Sequence, residues 1–403
     1  MSKKRVGLAG ILALGLSMAS CAAMAAEIEK IGVVTDISGP LSDVEGPGSV
    51  EAVKIAVEEF GGTVLGRKIE VVSADHQNKP DIGLSIVRNW IDTDGVNLIL
   101  DLGNSAVAIG VQNMVKERGK LSIATGAASA ELSNKYCTPN SFQWGYDSYQ
   151  FANAAAPEIV KDGGDTWFFI TADYAYGQAL EADTRRAVEA AGGRVLGVVR
   201  HPLNTMDFSS YLLQAQASGA RVIGLATPIA DVQNAIKQGV EFNVFSDTHK
   251  PLPLGMSLMD VHSIGLALAQ KSILSAVFYW DENDKTRRFA AKYFARMGKP
   301  PTEVHAMNYS ATLHYLKSIV AANSFETSKV IDVMRATPVN DDVTINAKLR
   351  ADGRLMRDVV LVQVKTPAES TKEWDYFKIL QNVPAEKAFR PASESVCSLL
   401  KRS

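Results

Sequence analysis

Two rhythms of apolar residues alternate along most of this chain. Short apolar runs read as strands: Ile28 to Thr35 (IEKIGVVT), Lys68 to Asp75, Val96 to Leu100, Leu121 to Ala124, Thr166 to Thr171, Val195 to Val199 and Val222 to Leu225. Between them Val50, Val53, Val57 and Phe60 recur at helical spacing, and helices are predicted over Asp81 to Thr93, Tyr149 to Lys161, Gly177 to Ala191 and Ser209 to Ala217. Strands alternating with helices predict a parallel sheet with right-handed crossovers. The alternation runs on without a shift in composition, and open sheets seldom grow beyond about ten strands. Two doubly wound α/β modules are therefore expected. The last third differs: helices over Thr286 to Met297, Ala306 to Ala322 and Val330 to Arg335 precede an antiparallel pair, Leu355 to Val364 and Trp374 to Ile379, with Asp352-Gly353 as a turn before it.

The stretch Val96 to Ser133 carries one pattern twice: strand, turn of small residues, helix. In an open sheet the two turns would lie side by side at the carboxyl ends of neighbouring strands, where ligands of such folds bind. Each following helix would offer a partly positive amino end to an anion. The alternative is that small residues there merely allow close packing. The loop Asp36 to Gly48, rich in Gly, Pro, Ser and Asp, is long for a βα connection and forms a candidate rim.

With 403 residues the chain is long enough for two domains, and 46% hydrophobic with 21% charged residues is ordinary for a globular protein. Residues 1–26 differ: Lys3, Lys4 and Arg5, an apolar run from Val6 to Ala19 and the small-residue site Ala23-Met24-Ala25 read as a cleaved secretory signal. Cys21 after Met18-Ala19-Ser20 loosely resembles a lipoprotein site, and cleavage without lipid is the favoured reading. Losing the three basic residues moves the formal net charge from −2 to −5, which disfavours nucleic acid and anionic membrane surfaces. Cys137 and Cys397 then remain, an even number in an oxidising compartment, and they are expected to pair; two free thiols are the alternative.

Enzyme motifs are missing. No GxGxxG follows the first strand and no GxxxxGK[ST] occurs; Ser105 and Ser257 lack the second glycine of a nucleophile elbow. His76, His201, His249, His262, His305 and His314 are scattered without metal-ligand spacing, so neither metal nor cofactor is expected. Asp341-Asp342 reads as a solvated pair. What remains is a set of loops expected along one edge of the second sheet: Asp173 to Gly177, Thr227-Pro228, Gly255-Met256-Ser257 and Phe278-Tyr279-Trp280. Together they would make an apolar wall with hydroxyl and indole donors, the usual lining of a small-molecule pocket.

Ile31 to Val34 with Ser38-Gly39-Pro40, Asn104-Ser105, Ile123 to Leu132, Asp173 to Gly177 and Met206 to Ser209 together resemble the periplasmic substrate-binding proteins of ABC importers of the branched-chain amino-acid type. The resemblance covers nearly all of the chain after residue 26. It implies the type I binding-protein fold: two α/β lobes joined by a three-segment hinge, closing on a ligand that a permease then receives. The hinge is expected near Trp144 to Tyr146, Trp280 to Asp281 and Asn346 to Lys348, with lobe one spanning 27–145 and 281–345 and lobe two spanning 146–280 and 346–403. A monomer is implied. Ligand contacts are expected from Asn104, Ser105, Ala106, Gly126, Ala127, Ala128, Ser129, Tyr176, Thr227, Met256, Tyr279 and Trp280, with Ser105 and the backbone at Gly126 and Ala128 holding a carboxylate.

Two departures matter. Ala128 stands where amino-acid binders of the family commonly have a hydroxyl, with Ser129 as a substitute; and no Glu to pair with a ligand ammonium occurs around Leu254 to Ser257. A buried ammonium without an anion is costly. The leading ligand is therefore an aromatic or other hydrophobic carboxylate, followed by branched amino acids and short amides. A ligand-sensing module and an extracellular hydrolase are the competing classes.

Overall fold

The computed structural model describes Met1 and residues 27–246 and 248–402. The expected secretory signal and Cys21 lie outside the described residues. A first sheet of six strands has the order β2-β3-β1-β4-β5-β6: β1 Ile28–Thr35, β2 Thr63–Val64, β3 Arg67–Asp75, β4 Leu98–Asp101, β5 Leu121–Ala124 and β6 Ser141–Gln143. All neighbours are parallel except the β2-β3 hairpin, and the register sets Ile31 opposite Leu98 and Leu98 opposite Leu121. Its apolar side chains are buried on both faces by helices, as parallel sheets require.

The second sheet is parallel, in the order β10-β9-β7-β8: β7 Thr166–Ala172, β8 Arg194–His201, β9 Val222–Ala226 and β10 Lys250–Pro253. A third, antiparallel sheet was not expected. It joins β11 Ile273–Ala276 to the predicted pair, now β14 Val359–Val364 and β15 Phe377–Val383. The run at Ile273 reads like another parallel strand from its apolar residues alone; its partner comes from beyond residue 355, which local pattern does not reveal.

The helices Asp284–Met297, Glu303–Ala322 and Thr327–Ala336 return to the first sheet's side, where Phe289, Tyr293, Met307 and Tyr309 pack against Val53 and Ile55 of the helix Gly46–Phe60. Trp144 ties in by donating from Nε1 to Ser310 Oγ at 3.2 Å. The chain thus passes from one sheet's side to another's after β6, after β11 and before β14. Residues 346–356 hold the short pair β12 Lys348–Leu349 and β13 Leu355–Met356, and a bridge from Gln143 to Arg354 sets them on the edge of the first sheet. Residues 346–348 therefore lie beside the first sheet, which the chain leaves between β13 and β14.

Of the two repeats in Val96 to Ser133, only the first leads into a full helix, Ser105–Arg118. The second gives one 3-10 turn, Ala130–Ser133, ended by Asn134. The peptide after it holds Cys137 and Pro139, which lead straight into β6. Cys137 is bonded to Cys397, Sγ to Sγ 1.98 Å, so the chain's last segment is fastened to the first lobe.

Closing a loop of 260 residues restricts the unfolded chain strongly. Cys397→Ser is expected to lower the unfolding free energy by about 2–5 kcal/mol, measured by urea denaturation; an unchanged midpoint would show that the bond contributes nothing.

Candidate functional site

The carboxyl ends of β4 and β5 face those of β7, β9 and β10 across a cleft of about 420 Å³. Its first-lobe wall is made by the two small-residue turns. Asn104 caps the helix Ser105–Arg118, its Oδ1 accepting from the amides of Ala106 at 2.9 Å and Val107 at 3.1 Å, while its Nδ2 donates to Asn78 Oδ1 at 2.6 Å. Two of the amides expected to meet an anion are thus occupied by the cap. Ser105 lines the cleft, and its hydroxyl has no hydrogen bond within the chain among the described residues.

The two turns are joined at their base by Asp101, whose carbonyl accepts from the amides of Thr125 at 3.0 Å and Gly126 at 3.3 Å. Asp101 and Leu102 both take left-handed backbone, φ 77° and 62°. Such residues cost of order 1–3 kcal/mol each and persist only where surroundings enforce them.

The second-lobe wall carries Tyr174 and Tyr176, ring centroids 5.9 Å apart, with Thr227 and Met256; Tyr146 and Phe151, 5.0 Å apart, close the hinge side. Burial raises the hydroxyl pKa of Tyr146, Tyr174 and Tyr176, so all three are neutral donors.

Of the expected contacts, Asn104, Ser105, Ala106, Gly126, Ala128, Tyr176, Thr227 and Met256 line this cleft. Ala127 does not: it is buried in the first lobe's core beside Val107 and Leu132. Nor does Ser129, whose hydroxyl accepts from the Glu131 amide at 3.3 Å to cap the 3-10 turn. Tyr279 and Trp280 lie elsewhere because β11 belongs to the third sheet. Trp280 Nε1 donates to the Trp374 carbonyl at 3.1 Å and the Tyr279 ring packs on Phe377 at 5.3 Å, around a small cavity that adjoins the cleft at Val44, Tyr146, Ser257 and Glu303.

Sequence reasoning missed the carboxyl groups. Glu45, Asp231, Asp260 and Glu303 line the cleft, and no Lys, Arg or His does among the described residues. Asp260 Oδ2 accepts from the Ser257 amide at 2.7 Å and burial raises its pKa to about 6; Glu303 Oε2 accepts from the Val277 amide at 2.9 Å and burial raises its pKa to about 8. Carboxyl groups thus reach the cleft from outside the Leu254 to Ser257 loop, where none was found in the sequence. Glu45 had one visible signal: Glu at a helix start preceding Gly46-Pro47 is a poor N-cap, and its side chain indeed makes no cap bond.

His305 supports the rim from below. Its Nε2 donates to the Glu45 carbonyl at 2.9 Å and its Nδ1 lies 3.0 Å from the Thr302 amide and 2.8 Å from the Tyr293 hydroxyl, which fixes the neutral tautomer. Burial pulls its pKa down to about 3. Among the described residues no group of His, Cys, Asp or Glu is placed to hold a metal ion, and no helix is long and apolar enough to cross a membrane.

A family model for periplasmic binding proteins matches residues 29–372. The chain belongs to the periplasmic binding protein family. This periplasmic binding protein is similar to solved structures of a periplasmic binding protein from Burkholderia mallei (43% identity, TM-score 0.89, 92% of this chain and 99% of the other) and of a branched chain amino acid ABC transporter periplasmic ligand-binding protein from Burkholderia xenovorans LB400 (40%, 0.85, 92% and 100%). A Leu/Ile/Val-binding protein homologue from Brucella abortus is 24% identical over 212 residues, 52% of this chain and 54% of that protein, so the match spans about half the relative's length. These likenesses agree with the two-lobed type I fold.

Glu303 offers a pH test. An unfolded Glu titrates near 4.5 and the folded one near 8, so the neutral carboxyl stabilises the fold below about 4.5 and that contribution is lost as pH rises through about 8. Glu303→Gln is expected to melt higher than the parent at pH 8, with the gap shrinking toward pH 5; a constant gap in a pH series of thermal melts would contradict it.

Proposed function

We propose that this periplasmic binding protein is a non-enzymatic extracytoplasmic receptor that captures a small carboxylate ligand between its lobes and delivers it to the permease subunits of an ABC importer. The observation that carries the reading is the cleft itself, built from the strand ends of two separate parallel sheets. A ligand touching both walls makes contacts that exist only when the lobes are closed, and so favours closure.

The ligand class that fits is an aromatic or other hydrophobic carboxylic acid, with branched amino acids or amides as the alternative. Tyr146, Phe151, Tyr174, Tyr176 and Met256 supply a broad apolar surface for its body. Ser105 and the amino end of its helix supply donors for the carboxylate. The Burkholderia xenovorans relative, described as a branched chain amino acid transporter component, supports the alternative. The receptor acts as a monomer, without nucleic acid or cofactor.

A thermal-shift panel tests this. At about 1 mM, a ligand with a dissociation constant near 10 μM stabilises the protein by roughly 2.7 kcal/mol. Hydrophobic carboxylates are expected to raise the melting temperature, and Ser105→Ala to weaken binding about tenfold through the lost hydrogen bond. A panel in which only non-carboxylates shift the melt would refute the carboxylate.

A further inference from the structure

After β15 the chain returns from the third sheet to the first. Two constraints fasten this tail on the first sheet's side: the disulfide to Cys137, and Asn134, whose Oδ1 accepts from the Ser395 hydroxyl at 3.1 Å and the Val396 amide at 2.8 Å. The Arg390 carbonyl accepts from Arg350 Nη1 at 2.8 Å. Other groups of the same tail grip the helices Ser148–Lys161 and Ala175–Ala190, which pack on the second sheet. Glu394 Oε2 accepts from the Tyr149 hydroxyl at 3.1 Å and lies 3.7 Å from Arg186 Nη1. The guanidinium groups of Arg186 and Arg390 both lie against the Tyr149 ring, 4.1 Å and 4.9 Å from its centre.

One group reaches both sides at once. Arg390 Nη2 lies 3.3 Å from Glu131 Oε1 and 3.6 Å from Asp183 Oδ1. Glu131 stands in the 3-10 turn just after Ala128, which lines the first wall of the cleft. Asp183 lies on the helix whose first residues, Ala175 and Tyr176, line the opposite wall, and its Oδ2 accepts from the Ser148 hydroxyl at 2.6 Å. The Arg390 and Asp183 side chains are 19% and 12% exposed, so salt screens their contact less than one on open surface. A guanidinium carries enough donors to serve two carboxylates together.

We infer that the tail is a strap that limits how far the two parallel sheets swing apart, with Arg390 as the residue that positions one cleft wall against the other. The inference rests on the receptor reading, from which it takes a cleft that opens and closes. Drawing the walls apart separates Glu131 from Asp183, and Arg390 cannot follow both. Its backbone is held by Arg350, and the chain beyond it is bonded covalently to Cys137. Widely open forms are therefore sampled less, and a ligand that needs the closed form meets a larger competent fraction of the protein. Cutting the strap lowers the apparent affinity in the ratio of those fractions.

The experiment measures the separation of the walls in the free protein. Spin labels are placed at Glu117→Cys and Lys237→Cys in the full chain carrying Cys21→Ser, and their distance distribution is read by pulsed electron resonance. Both sites are exposed and lie on the helices Ser105–Arg118 and Ile229–Glu241, whose amino ends border opposite sides of the cleft. Arg390→Gln, Asp183→Asn and the double variant Cys137→Ser, Cys397→Ser are each expected to lengthen the mean distance by more than about 2 Å. Lys292→Gln breaks an ion pair with Glu59 that lies wholly on the first sheet's side, and should leave the distance as in the parent. Asp183→Asn and the cysteine pair keep the test decisive if Arg390→Gln folds poorly. Distances unchanged in every folded strap variant, or lengthened equally by Lys292→Gln, overturn the strap. No ligand enters the measurement, so such a result counts against the strap alone, and the receptor reading stands or falls by the thermal-shift panel.

Discussion

A single buried guanidinium holds the crossing segments together. Arg354 is 1% exposed and pairs with Asp147 at 3.3 Å, donates to the Gly145 carbonyl, and lies 3.9 Å over the ring of Phe389. It therefore joins the first crossing, the turn before the third and the tail. Burial lowers its pKa only to about 10, so it stays charged at neutral pH. Asp147 also caps the helix Ser148–Lys161 by accepting the Gln150 amide at 2.8 Å, which carries the constraint into the second lobe. A buried pair of this kind gives a defined geometry more than net stability.

What the sequence disclosed follows from how local each signal is. Strand and helix rhythm located β1, β3, β4, β5 and β7 within a residue or two, and the repeat at Val96 to Ser133 correctly set two turns side by side. Partnering across long separations was illegible. Ile273–Ala276 pairs with Val359–Val364, and that pairing removed Tyr279 and Trp280 from the cleft wall. The second copy of the repeat promised a helix that Ala130–Ser133 did not sustain, because Ser129, needed as a cap, starts a single turn only. The disulfide was reached by counting, and the structure supplies what counting lacked: the tail packs against Asn134, whose Oδ1 accepts from the Val396 amide at 2.8 Å.

The acidic lining shows a second limit of motif reading. Small residues at a βα turn suggest ligand space, and here part of that space belongs to Glu45. The left-handed backbone at Asp101 and Leu102 keeps the turns close enough for one carboxyl to touch both. Glu45 was hidden because its partners come from residues 101–126, far along the chain, and its own neighbours are ordinary loop residues.

The interleaving of the lobes also orders their assembly. The four parallel strands of the second sheet all fall within residues 166–253, so that sheet can form as soon as this stretch is available. The first lobe cannot finish then: its core waits for Phe289, Tyr309 and Leu316, and its clasp waits for Cys397. Contacts spanning such separations form slowly. A chain emerging from its amino end therefore carries an open, apolar first sheet until the helices holding Phe289, Tyr309 and Leu316 have followed it, and a factor that shields nascent protein would find β1 to β6 exposed over that interval.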